Sequence, residues 1–355
     1  MHYLFFTNTP AHVHLYKHVV EQLQAAGHET SILAREYGCT TQLLDWEGLE
    51  YDVYGACGTN RQSLFRNLPM HYYRIVRAVR KLDPDLIFGM GAYGAHAGLI
   101  SGAPTILVLD SEPTSLDHTI STPFAHAILT PAAFRKTLGS THYTFDGFKE
   151  SAYLHPEVFE ADPDIRADLG LDPDEPFVIL RLNAFGSHHD VGEGGFTPDI
   201  RRSLIEGLAT EATVLVSDEG GTLDLSTVPA RSFDLHPARV HDALAEATLL
   251  VADTQTMVTE AALLGTPAIR SNSFVGGDDM GNFVELESAG LIRNVSDAAD
   301  VLDQALELLE DDTASQWERR RDEYVEDMAN VSSVLTTVAQ SPSALETVTQ
   351  LSPAQ

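Results

Sequence analysis

The sequence predicts an α/β protein made of two successive doubly wound parallel sheets, and three observations predict it. Strand-length apolar runs alternate with amphipathic segments of helical period along the chain. An acidic, proline-punctuated stretch interrupts the alternation near its middle, after which it starts again. The 355 residues, 43% of them hydrophobic, supply two cores of ordinary domain size, which excludes a globally disordered chain.

In chain order, Tyr3–Phe6, Thr30–Ala34, Tyr51–Tyr54, Leu86–Phe88, Thr105–Leu109 and Ala127–Leu129 have the length and apolar content of strands. His14–Ala26 and Leu64–Leu82 are amphipathic, and Gly27 supplies a helix stop. These elements make a first domain, 1–155. Asp162-Pro163-Asp164 and Asp172-Pro173-Asp174-Glu175-Pro176 punctuate a connector, 156–175. In the second domain, 176–312, Phe177–Leu182, Thr213–Ser217, Leu249–Ala252 and Ala268–Arg270 read as strands, with helices near 198–209, 240–247, 256–264 and 298–310. A last polar helix, about 313–337 within a terminal segment 313–340, is expected to pack back, and the tail 341–355 to fray.

Fifty-two acids against 22 Lys+Arg give a formal charge of −30, and Lys17, Lys81, Lys136 and Lys149 are the only lysines. Nucleic-acid affinity rests on phosphate neutralisation by Lys and Arg, so a nucleic-acid partner is excluded. At molar salt the Debye length is about 3 Å and the self-repulsion of such a chain is screened. Abundant acid and scarce lysine therefore point to a halophilic, archaeal-like cytoplasm. The charge is uneven: residues 1–155 hold 14 acids and 11 bases, residues 156–355 hold 38 acids and 11 bases. Apolar runs fall far below the roughly 20 residues of a membrane span. Met1–Phe6 lacks a basic n-region and reads as a first strand, so a cytoplasmic protein is expected. Cys39 and Cys57 form no CxxC pair or Cys/His cluster, and no metal site is expected.

Four motifs carry chemistry. Thr7-Asn8-Thr9-Pro10-Ala11-His12-Val13-His14 runs from the first strand into the first helix. A neutral imidazole there could take a proton from a hydroxyl nucleophile, and His12 is the better placed of the two histidines. Phe88-Gly89-Met90-Gly91-Ala92-Tyr93 follows a strand and opens a helix, so its backbone amides could approach an anion. Asp110-Ser111-Glu112 ends a strand, where Glu112 could bind a sugar hydroxyl or act as acid/base. Asp253-Thr254-Gln255-Thr256-Met257 leads into the helix of Glu260, with the Asp and Thr residues as caps and free amides facing a ligand. A carboxylate at Glu260 can accept both ribose hydroxyls while the helix start holds a diphosphate.

In order and spacing, Gly89–Tyr93, Asp253–Pro267 and the His12 turn resemble the GT-B glycosyltransferases. Among named enzymes the chain is similar to the lipid-II-forming N-acetylglucosaminyltransferase. More similar still is an uncharacterised archaeal and bacterial GT-B-like family with a Pro-x-His-x-His turn and a Glu-Ala-Ala-Leu-Leu-Gly-Thr-Pro helix, and the resemblance spans residues 1–310. It implies a GT-B fold, two Rossmann-like domains facing across a cleft, and sugar transfer from a nucleotide diphosphate sugar without a cofactor or metal. By that analogy His12 is the general base and Glu260 the ribose ligand, while Glu112 joins His12 as a catalytic candidate from its place at the strand end and from a further resemblance to 2-epimerases. Ser187, His188, Thr254, Gln255, Thr256, Met257, Glu260, Asp278 and Asp279 bind the nucleotide sugar, and His14, Gly89, Gly91 and Tyr93 bind the acceptor.

The family's Gly-rich loop is here Asn183–Asp190, its diphosphate turn Thr254-Gln255-Thr256, and its sugar-reading glutamine pair Asp278-Asp279. The chain also resembles the non-hydrolysing UDP-N-acetylglucosamine 2-epimerases, although their Gly-Asp-Thr turn is Gly89-Met90-Gly91 here. A non-catalytic nucleotide-sugar-binding protein is the third alternative. Residues 61–82 hold six bases and no acid among apolar and aromatic residues. That suits either a polyprenyl-phosphate acceptor and an anionic membrane surface or an ordinary covering helix.

Overall fold

Strand β1 (His2–Thr7) is flanked on one side by β2 (Glu29–Glu36) and on the other by β4 (Leu86–Gly89), both parallel to it. A computed structural model describes this arrangement for residues 1–57, 61–183, 194–276, 279–310, 314–342 and 344–354, with 61–65 and 314 as backbone only. The chain divides into two compact units: residues 1–159 with 328–355, and residues 160–327. Each is an α/β unit on a sheet of parallel strands, apart from one antiparallel edge strand in the first, and together they constitute a two-Rossmann-like GT-B fold.

The first sheet has the order β14-β7-β6-β5-β4-β1-β2-β3. Its remaining strands are β3 (Asp52–Ala56), β5 (Thr105–Val108), β6 (Ala127–Pro131), β7 (His142–Phe145) and β14 (Leu351–Pro353). Its helices are α1 (Pro10–Ala25), α2 (Thr40–Trp46), α3 (Arg61–Leu82), α4 (Ala92–Ser101), α5 (Ser115–Ser121) and the short α6 (Ser151–Leu154). Chain order reverses between β1 and β4, where Phe5 and Phe88 stack with ring centroids 5.1 Å apart. The apolar strand faces explain the layers: Leu4, Phe6, Leu33 and Ile87 bury against Ile75 and Val79 of α3.

The second sheet has the order β10-β9-β8-β11-β12-β13. Its strands are β8 (Phe177–Leu182), β9 (Thr213–Asp218), β10 (Arg231–Ser232), β11 (Leu249–Ala252), β12 (Ala268–Arg270) and β13 (Arg293–Asn294). The helices of this unit are α7 (Ile165–Asp168), α8 (Pro198–Leu208), α9 (Val240–Glu246), α10 (Thr256–Leu264), α11 (Gly281–Ser288), α12 (Val301–Glu310) and α13 (Ala314–Val325). Val178, Leu180, Val214, Leu249 and Val251 bury against Leu204, Leu208 and Leu308. Chain order reverses between β8 and β11.

The C-terminal segment differs from the expectation of one helix and a frayed tail. The helix breaks after Val325, and α14 (Val331–Gln340) restarts where the Asn330 side chain accepts from the Ser332 and Ser333 amides. Helix α14 returns to the first unit: Thr336 donates to Gln22 at 2.7 Å, and Tyr3 donates to the Ala339 carbonyl at 3.2 Å. The tail is not frayed there, because β14 pairs antiparallel with β7.

Candidate functional site

Ligands of doubly wound sheets bind beyond the carboxyl ends of strands where chain order reverses. In the first unit that place lies between the turns after β1 and β4. His12 stands there, buried in the first turn of α1. The Asn8 amide donates to His12 Nδ1 at 3.1 Å, so Nδ1 is unprotonated and the neutral ring carries its proton on Nε2. Burial pushes the imidazole down to about 3, with Arg35 and Lys149 adding to it, against Asp110 and a hydrogen bond with the Phe6 backbone. Asn8 is itself fixed, since its carbonyl accepts from Arg35 Nε at 3.0 Å and its side-chain oxygen from Tyr54 at 2.7 Å.

Sequence reasoning missed the ion cluster beside His12. Lys149 is buried, hydrogen-bonded to Asp110 two residues after β5, and lies 3.0 Å from Glu150. Burial opposes its charge, but the two carboxylates outweigh that and hold the ammonium above its ordinary range. The one available signal was a lysine in a chain with four of them.

The other expected residues of this unit have different surroundings from those anticipated. His14 packs on Tyr153 of α6, ring centroids 5.2 Å apart, inside the helix layer. The turn after β4 is not an open anion cradle, because Asp117 Oδ1 accepts from the Ala92 amide at 3.2 Å. Gly91 has φ +118°, and a Cβ there would lie 2.5 Å from Asp117 Oδ2. Gly89 serves close packing, since a Cβ would come within 3.0 Å of Gly94 Cα. The Tyr93 hydroxyl bonds His71 Nδ1 at 2.9 Å, and burial pushes it up to about 12. Glu112 is buried and fastens two loops: its side chain accepts from the Arg135 amide at 3.2 Å and its carbonyl from Lys136 Nζ at 2.6 Å.

In the second unit the reversal point brings β8 and β11 side by side. Asp253, directly after β11, accepts from the Asn183 amide at 2.6 Å and from the Phe196 amide at 3.2 Å. Burial pushes its carboxyl up to about 6, although both amides pull the other way. This corrects the expected cap: Asp253 joins the flanks of the loop after β8, and Gln255, the residue preceding α10, makes no side-chain cap bond. Thr254, Gln255, Thr256 and Met257 are half-buried around the start of α10.

Glu260 is buried, not a solvated helix face, and its Oε1 lies 3.1 Å from His241 Nε2 of α9. Asp279 does not present a free carboxylate to a sugar. It pairs with fully buried Arg270 and accepts from the Met280 amide at 2.8 Å, while the Arg270 guanidinium lies 3.7 Å from the Phe283 ring centre. Burial lowers Arg270 and raises Asp279, each against the pull of the other. Ser187, His188 and Asp278 lie outside the described residues. Among the described residues no group of three His, Cys, Asp or Glu side chains is placed to hold a metal ion.

The family model described as "Protein of unknown function (DUF354)" matches residues 2–334. Among curated proteins none matches the chain. Three solved structures illustrate the likeness. UDP-GlcNAc 2-epimerase from Neisseria meningitidis bound to UDP-GlcNAc is 13% identical with a TM-score of 0.66, over 96% of this chain and 100% of that one. The S. aureus MnaA–UDP co-structure is 12% identical with a TM-score of 0.68, over 97% of each chain. The spinosyn forosaminyltransferase SpnP is 15% identical with a TM-score of 0.65, over 96% and 98%.

Proposed function

The chain belongs to the DUF354 family, and from that premise we propose that it transfers a sugar from a nucleotide diphosphate donor to an acceptor. The observation that carries this reading is the reversal point of the second unit, where Asp253 closes the turn before α10 and Glu260 sits buried in that helix. Chains of this fold include transferases and epimerases, some solved with UDP or UDP-GlcNAc.

In this reading the amides at the start of α10 receive the donor diphosphate, and Glu260 accepts the ribose hydroxyls while His241 holds its carboxylate in place. The acceptor oxygen attacks the anomeric carbon, the bond from that carbon to the diphosphate oxygen breaks, and the nucleoside diphosphate leaves with the electron pair. Charge grows on the leaving diphosphate, so fixed N–H donors lower the barrier without a bound metal. His12 takes the acceptor proton after Nδ1 exchanges the Asn8 amide for the acceptor hydroxyl. The imidazolium so formed is stabilised by neighbouring Asp110.

A second reading is supported by the buried Lys149–Asp110–Glu150 cluster and by the epimerases among similar structures. It assigns that cluster to proton transfer at C2 of a UDP-sugar. Incubation with radiolabelled UDP-, GDP- and dTDP-sugars and a lipid extract, at molar KCl, separates the readings. Label entering the acceptor supports transfer, and solvent deuterium entering C2 without acceptor supports epimerisation. Binding with neither leaves a nucleotide-sugar-binding protein. An acceptor carried at a membrane surface suits the basic helix α3.

A further inference from the structure

Seven of the exposed large apolar side chains gather on one helix layer of the first unit. Met70 and Tyr73 lie on α3, Leu99 and Ile100 on α4, Leu116 and Ile120 on α5, and Phe124 on the 3-10 turn that follows. Three of them are conspicuously open: Leu116 is 74% exposed, Tyr73 62% and Leu99 61%. The layer is continuous, since α4 packs against α3, α5 and that turn. Tyr72 bonds His96 Nδ1 at 2.7 Å, and His96 Nε2 meets the Ile120 carbonyl at 2.9 Å.

The charge of this layer is opposite to that of the chain. Residues 61–82, 92–101 and 115–124 hold six bases and one acid in a protein with 52 acids. The single acid, Asp117, is half-buried and bonded to the Ala92 amide. Arg66, Met70, Tyr73, Arg74, Arg77 and Lys81 recur at helical spacing and are all exposed, so bases and apolar groups share one stripe. Among the described residues none of Arg66, Arg74, Arg77, Arg80 and Lys81 forms an ion pair.

We infer that the layer formed by α3, α4 and α5 docks on an anionic lipid bilayer. Apolar side chains bordered along α3 by exposed bases suit the boundary between acyl chains and phosphate headgroups, where each group finds its own solvent. A second copy of the same face would bring its arginines against like charges. Among the described residues no helix is long and apolar enough to cross a membrane, and docking needs none. The overall negative charge is no obstacle at molar salt, where it is screened beyond about 3 Å while contact pairs persist.

The inference does not rest on glycosyl transfer, and its test is read without it. The full chain in molar KCl is floated with vesicles of phosphatidylglycerol and phosphatidylcholine, and with vesicles of phosphatidylcholine alone. It is expected to rise with the first and far less with the second. Leu99→Asp/Leu116→Asp/Phe124→Asp is expected to lower the partition coefficient on the order of 100-fold. Arg74→Gln/Arg77→Gln/Arg80→Gln is expected to lower it several-fold, and more as salt is reduced. All six positions are exposed, and unchanged thermal unfolding confirms that the variants are folded. Failure of the wild type to float, or equal flotation of the folded variants, overturns the inference. So does a dimer, seen by sedimentation, that the same substitutions dissolve.

Discussion

The Asn8 amide points at Nδ1 of His12 from 3.1 Å, so the turn between the first strand and the first helix is closed by an imidazole that is neutral for as long as that bond is made. Burial, Arg35 and Lys149 all favour that state. Protonation would turn the acceptor nitrogen into a donor facing another donor.

His12 is therefore expected not to titrate near neutrality. With its imidazole pushed down to about 3, its ring proton shifts should stay constant from pH 8 to pH 5 in nuclear magnetic resonance. A midpoint near 6.5 would contradict the closed turn. Replacing His12 by Ala removes the acceptor of the Asn8 amide and is expected to cost about 1–3 kcal/mol of stability.

Asp253 gives a pH dependence of the opposite kind from a salt-bridged carboxylate. Its folded-state value, about 6, lies above the ordinary aspartate range. Its contribution to stability is thus complete below about pH 4 and lost as pH rises through about 6. Between pH 7 and pH 5 the wild type should gain about 1 kcal/mol relative to Asp253→Asn. Chemical unfolding of both proteins at the two pH values, in the same salt, measures the difference. An unchanged difference would show that the carboxyl is not perturbed.

Arg270 and Asp279 form a buried pair whose halves depend on each other. Asp279→Ala leaves a fully buried guanidinium without its carboxylate and is expected to cost about 3–5 kcal/mol. Arg270→Met/Asp279→Leu removes both charges and is expected to cost less than the single change. Thermal unfolding ranks the three proteins, and a double variant less stable than Asp279→Ala would rule out this account of the pair.

Much of the fold is legible in the sequence because apolar strands such as Phe177–Leu182 and Leu249–Ala252 are continuous runs bounded by polar turns. His142–Phe145 is short with only its end residues buried, and Leu351–Pro353 contains the proline that edge strands tolerate and patterns discount. Of the site, the Glu260 helix is readable because one carboxylate interrupts an apolar helix. Its partner His241 is 19 residues away and is brought to it only by the packing of α9 on α10. Lys149 and Asp110 are separated by 39 residues and meet through the order of the sheet. Asp253 has the sequence signature of a local cap, but its amide partners, Asn183 and Phe196, lie beyond the neighbouring strand and cannot be read from the residues around it.

The central claim, that the second unit receives a nucleotide diphosphate sugar at the start of α10 with Glu260 on the ribose, is tested most directly by equilibrium binding. Isothermal titration of the full chain with UDP-, GDP- and dTDP-sugars in molar KCl is compared between wild type and Glu260→Ala. The account predicts saturable binding of at least one donor by the wild type. It also predicts an affinity at least roughly 10-fold weaker in a Glu260→Ala protein that remains folded, from the loss of a charged hydrogen-bond acceptor. Equal affinity in the two proteins, or no binding of any donor by the wild type, would contradict it.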